Sequence, residues 1–162
     1  MDTYLAIASK RDERAYAETA IPDEVRRRIL DAGRLSGSSR NTQRWQFVVA
    51  APEAQAFLAD AVYAPANVAT AALVVAIVGE AGSFDVGRCA QNMMLAAWND
   101  GVVSCPNGIR DPEAAAALLG GEVKAVLSFG YPAKRRDPQR RSAEEWSARA
   151  NRLPLADLSR ET

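Results

Sequence analysis

The chain has 162 residues, 48% of them hydrophobic and 25% charged, the size and composition of one ordinary folded domain spanning residues 1–162. Twenty basic residues balance twenty acidic ones, so the net field that draws proteins onto nucleic acid or anionic membranes is missing. Histidine is absent and cysteine occurs only at Cys89 and Cys105, which excludes Ser-His-Asp and Cys-His hydrolysis, a structural zinc site and a disulfide framework.

The amino terminus predicts a short helix capped by Thr3 and running through Ser9, then the charged segment Lys10-Arg11-Asp12-Glu13-Arg14 and a turn at Ile21-Pro22. Asp23 and Glu24 suit the positive end of a second helix, residues 23–35, with Val25, Ile29, Ala32 and Gly33 on one face and Arg26-Arg27-Arg28 on its solvated side. A polar loop, residues 36–43, leads to a buried strand at 47–50 and an alanine-rich helix at 52–62. Residues 71–78 form a continuous apolar, largely β-branched run, as expected of a strand covered on both faces.

Ser83 is placed to cap the longest helix, residues 83–99, in which Val86, Cys89, Ala90, Met93, Met94 and Ala97 make one broad stripe ended by Gly101. A short strand at 102–104, a helix at 112–119, a strand at 123–129 and a charged tail with a helix at 143–151 complete the reading. The brief apolar stretch at 4–8 lacks the basic lead and length of a signal peptide, and residues 71–78 are too few to span a bilayer, so the expected location is the cytoplasm.

Three places can carry chemistry. Lys10, Arg11 and Arg14 flank a turn, where guanidinium forks hold a phosphate well, although loop charges for solubility look the same. In the 36–43 loop every side chain except Gly37 can donate or accept a hydrogen bond, which fits either a ligand loop or a plain connection. Cys105-Pro106-Asn107-Gly108 follows a strand, and Gly108 lets backbone approach a planar ring. Cys105 without a histidine reads as a small buried hydrophobe rather than a nucleophile.

The order of these pieces resembles the FMN-dependent nitroreductase family. The resemblance rests on Lys10 to Tyr16, Ile21-Pro22, Ser38-Ser39-Arg40-Asn41-Thr42-Gln43-Arg44-Trp45-Gln46-Phe47, the Gln91-Asn92-Met93-Met94-Leu95 helix, residues 101–108, and Phe129-Gly130-Tyr131-Pro132 followed by Arg140-Arg141. It implies an α+β fold, with a mixed, mainly antiparallel sheet flanked by helices, in an intertwined homodimer that meets across the 85–99 helix. Lys10, Arg11, Arg14, Arg140 and Arg141 would then hold the FMN phosphate and ribityl chain. Ser38, Ser39, Asn41 and Gln43 would reach the flavin from the partner, Asn67 would lie near its pyrimidine edge, and Asn107 and Gly108 near N5. Three positions depart from the signature: Asp12 for serine, Gly37 for proline and Arg44 for proline. Little chain at 62–73 or 108–123 is left to build the family's lid helices.

The activity implied is transfer of hydride or electrons from NADH or NADPH, through FMN, to a small electron-poor acceptor such as a nitroaromatic or quinone, with no metal and no catalytic side chain beyond the flavin. Its rivals are a flavin-dependent dehydrogenase or oxidase and a flavin-binding protein without turnover.

Overall fold

A computed structural model describes residues 1–161, which form two compact units: residues 11–136, and residues 1–10 with the chain from 137 onward. The larger unit is built on four strands, β1 (Gln46–Val49), β2 (Leu73–Val78), β3 (Val103–Asn107) and β4 (Val123–Gly130), in the order β1-β2-β4-β3. All three ladders are antiparallel. Among the described residues, parallel pairing is limited to an isolated bridge between Asp12 and Ser104.

Alternation along the strands divides the core in two. Leu73, Val75, Ile77, Leu127 and Phe129 face α2 (Asp23–Arg34) and α5 (Ser83–Asn99) in one cluster. Val74, Ala76, Val78 and Val126 share the other cluster with residues of α3 (Pro52–Asp60), α4 (Pro65–Ala69) and α6 (Pro112–Leu119). Every residue of β2 is buried, as the unbroken apolar run requires of an inner strand covered on both faces. The stripe on α5 is buried throughout, and Gly101 takes a φ of 76° just beyond the helix, so its left-handed ending is as read.

The smaller unit carries α1 (Thr3–Ser9), a 3-10 turn at Pro138–Arg140, α7 (Ala143–Ala148) and α8 (Leu155–Leu158), with α1 packed on α7. Here the cap of α1 is Asp2 rather than Thr3, because the Asp2 carboxylate accepts the Leu5 N–H at 3.0 Å. Likewise α5 begins at Ser83 with Gly82 in the cap position and no side-chain cap.

The larger differences come from proline. Pro106 suggests that the third strand stops early, yet β3 runs through it to Asn107. As an edge strand, β3 has one side on which a missing N–H breaks no ladder. Pro65, at the first turn of α4, starts a short helix not foreseen between Val62 and Leu73. No helix among the described residues is long and apolar enough to cross a membrane.

Candidate functional site

Residues 11–17 have no regular secondary structure, but the sheet holds them at several points. Asp12 bridges Ser104, and the Glu13 N–H donates to the Ser104 carbonyl at 3.1 Å. Tyr16 bridges Pro132, the Ala17 N–H donates to the Tyr131 carbonyl at 2.8 Å, and the Ala133 N–H donates to the Ala15 carbonyl at 3.1 Å. Half-buried Arg11 and exposed Arg14 are therefore carried on a segment fastened to the β3 edge. Both oxygens of Glu13, in the same segment, are engaged by Arg136 through Nε and Nη2, so this carboxylate is neutralised by that fork.

The other end of β3 supplies Asn107 and Gly108. Asn107 is buried, and its amide nitrogen turns inward, donating to the Cys105 carbonyl at 3.1 Å, the Val126 carbonyl at 3.3 Å and Ser128 Oγ at 3.0 Å. Its Oδ1 is buried without a hydrogen-bond partner. Gly108 is exposed, and a side chain there would meet the Tyr63 ring at 3.1 Å. Cys105 is 1% exposed, a small buried hydrophobe as expected.

Tyr16 reaches this cluster with its hydroxyl 2.8 Å from Ser128 Oγ. Burial is the main cause that pushes the phenol up from 10 to about 12, partly opposed by the bond to Ser128. Since the folded value lies above the unfolded one, Tyr16 leaves stability independent of pH below about 10 and removes it as pH rises from 10 towards 12. The unfolding free energy of the wild type is expected to decline in that window more steeply than that of Tyr16→Phe, measured by denaturant titration at successive pH values.

The 38–43 loop joins α2 to β1. Its backbone is unusual: Arg40, Asn41 and Gln43 all have positive φ, at 53°, 55° and 48°. Non-glycine residues adopt this region only where surroundings enforce it. The enforcement is visible. The Gln43 N–H donates to Ser38 Oγ at 2.9 Å, Thr42 Oγ1 to the Ser39 carbonyl at 3.0 Å, and Gln43 Nε2 to the Asn41 carbonyl at 3.2 Å. Asp85, in the first turn of α5, accepts the Ser39 N–H at 2.9 Å. Ser39, Arg40, Thr42, Arg44, Glu80 and Asp85 border an open cleft of about 320 Å³.

The structure thus brings Arg11 and Arg14 to the strand that ends in Asn107 and Gly108. Ser38, Ser39, Asn41 and Gln43 belong instead to the β1 edge, three strand spacings from β3, or roughly 14 Å. Asn67 is buried in α4. Lys10, Arg140 and Arg141 lie in the smaller unit, where Lys10 ends α1 and Arg141 stacks 4.9 Å from the Trp146 ring centre.

Residues 7–83 match the profile of the nitroreductase family. A nitroreductase-type protein from Desulfovibrio desulfuricans, solved in complex with FMN, is 25% identical over 100% of this chain and 98% of its own, with a TM-score of 0.80. The chain is thus similar to the nitroreductase family over residues 7–83 and has a nitroreductase-like fold over its length. The fold is shared with nitroreductase A from Vibrio parahaemolyticus (22% identity, 99% and 75% covered, TM-score 0.83). It is also shared with the NADPH:FMN oxidoreductase from Vibrio harveyi complexed with NAD+ (23%, 96% and 75%, 0.81). No curated protein matches the sequence.

Two of this chain's departures from the nitroreductase signature have physical accounts. A Cβ at Gly37 would lie 2.6 Å from the Arg88 guanidinium, which packs over that backbone and over the Phe84 ring. Arg44 turns its side chain towards Glu80, 3.7 Å away, and rests its carbonyl on Gly79. Tyr16, Ser128 and Asp85 escaped the sequence reading. The signal for Ser128 was present, since it is the one hydroxyl in the apolar run of β4 and is fully buried.

Proposed function

We propose that this protein belongs to the nitroreductase family and is an FMN-dependent oxidoreductase that works as a homodimer. The carrying observation is the fastening of Arg11 and Arg14 to the same edge strand whose end presents Asn107 and exposed Gly108. Between Ser104 and Asn107 the strand spans three residues, or about 10 Å, so charge for a phosphate and open backbone for a planar ring are set apart along one line. The donor set suits the group: guanidinium forks match a dianion, and a glycine admits a flat ring.

When bound, FMN supplies the chemistry, accepting hydride from NADH or NADPH and passing hydride or electrons to an electron-poor small molecule. The protein's share is to bind and orient. Arg11 and Arg14 would hold the phosphate and ribityl chain, Asn67 the pyrimidine edge, and Asn107 and Gly108 the ring near N5; for Lys10, Arg140 and Arg141, in the smaller unit, a phosphate role rests on the family resemblance alone. Ser38, Ser39, Asn41 and Gln43 lie on the opposite sheet edge of their own protomer and would serve the partner's flavin. The exposed face of α5, with Phe84, Gly87, Arg88 and Gln91, would meet its symmetry mate.

The purified protein is expected to show a flavin absorption spectrum, and extraction of the chromophore should release FMN. A colourless protein that takes up no added FMN would reject the reading. Arg14→Ala should weaken FMN binding about tenfold, as expected for losing one charge-assisted hydrogen bond. Equilibrium dialysis that returned an unchanged Kd would place the phosphate elsewhere.

A further inference from the structure

One buried polar cluster shares Asn107 with the proposed flavin contacts and extends behind them. Ser128 lies on β4, fully buried, in register with Cys105 of β3. Its hydroxyl carries one proton, which is directed to the Cys105 carbonyl at 3.2 Å. The lone pairs of the same oxygen then accept from Tyr16 Oη at 2.8 Å and from Asn107 Nδ2 at 3.0 Å. Tyr16 is therefore the donor of its bond, in keeping with burial that holds the phenol protonated.

These three side chains come from different parts of the chain. Tyr16 ends the segment that carries Arg11 and Arg14, Asn107 ends the edge strand beside Gly108, and Ser128 belongs to the inner strand β4, between β2 and β3. Tyr16 also packs against Gly130, where a Cβ would come within 2.7 Å of Cδ1. The Tyr16 hydroxyl also lies 3.4 Å from the Ser128 carbonyl oxygen, a second contact to the same residue of β4. All three groups are largely shielded from water, so their bonds are worth more than surface ones and are costly to leave half made.

We propose that Tyr16, Ser128 and Asn107 form a positioning network that sets the spacing between the arginine segment and the Asn107–Gly108 backbone, and so tunes the protein for a phosphorylated flavin over an unphosphorylated one. The inference rests on the FMN reading above. None of the three hydroxyl or amide groups needs to touch the ligand. With the Tyr16 hydroxyl removed, the ring and its packing on Gly130 remain, but the arginine segment loses its side-chain tie to β4. The ring end, held by β3 itself, keeps its place. The loss should therefore fall on the phosphate, not on the flavin as a whole.

The test compares FMN with riboflavin, which has the same ring and ribityl chain without the phosphate. Dissociation constants for both are measured by flavin fluorescence on the wild type, Tyr16→Phe and Ser128→Ala, with thermal unfolding recorded alongside. Tyr16→Phe is expected to lower the FMN-over-riboflavin preference about fivefold, the worth of one net hydrogen bond, while riboflavin affinity stays within twofold. Ser128→Ala should lower the preference at least as much. A fall in melting temperature with the preference intact would overturn the network's positioning role and leave the FMN reading standing. A wild type that binds neither flavin would overturn both.

Discussion

Gly79→Ala is expected to destabilise the protein by about 3 kcal/mol or more, because two independent penalties fall on one methyl group. The first is conformational: Gly79 has a φ of 131°, a backbone state that side chains rarely adopt. The second is steric. The new Cβ would stand 2.6 Å from the Arg44 carbonyl oxygen and 3.4 Å from the Trp45 Cα, both backbone atoms with no rotamer to turn away. That backbone is held in turn, since the Trp45 N–H donates to the Gln43 carbonyl at 2.8 Å and the Trp45 ring stacks 6.5 Å from Phe47. The strain would thus be transmitted to Gln43 and the loop before it, so FMN affinity should fall together with stability if that loop serves the flavin. Gly82→Ala is the control: nothing lies within 4 Å of its Cβ and its φ is −65°. Urea titrations that placed both variants within 0.5 kcal/mol of the wild type would refute the account.

The same glycine shows where sequence reading reaches its limit. Gly79 ends the apolar run of β2 and is legible as a terminator, but its contact with Arg44 joins residues 35 positions apart, which no local pattern encodes. Elements governed by local periodicity were readable: α2, α5, α6 and the buried β2 all fall within about two residues of their expected bounds. Elements governed by place in the sheet were less so. Pro106 stops an inner strand but is tolerated in β3 because β3 is an edge, and edge status is a property of strand order. For the site, the basic segment and the 38–43 loop stood out by composition and by order. Their placement did not, because the segment's docking depends on Ser104 and Tyr131, more than eighty residues later. Tyr16 looked like part of a motif and Ser128 like an interruption in a strand. Only the fold makes them partners.

Gly130→Ala is the second substitution expected to cost several kcal/mol, and it probes that partnership from the packing side. Its Cβ would lie 2.7 Å from Cδ1, 2.8 Å from Cγ and 2.9 Å from Cβ of Tyr16. A clash with the ring alone could be relieved by a new rotamer, but a clash that includes Cβ cannot, because Cβ moves only with the backbone. Residues 12–16 would have to lift from the sheet, weakening the Glu13 bond to Ser104 and the Ala15 and Ala17 bonds to the β4 extension. A loss of about 3 kcal/mol is expected, at the upper end of overpacking costs. Because the segment carries Arg11 and Arg14, FMN affinity should drop at the same time, and more than riboflavin affinity. Tyr16→Gly in the Gly130→Ala background removes both the ring and Cβ, so the double variant should be markedly more stable than the sum of the single losses predicts. Strict additivity of the two substitutions, measured by denaturant unfolding, would mean that Tyr16 does not pack where the structure puts it. Strong coupling with unchanged FMN affinity would keep the packing and detach the arginine segment from the phosphate.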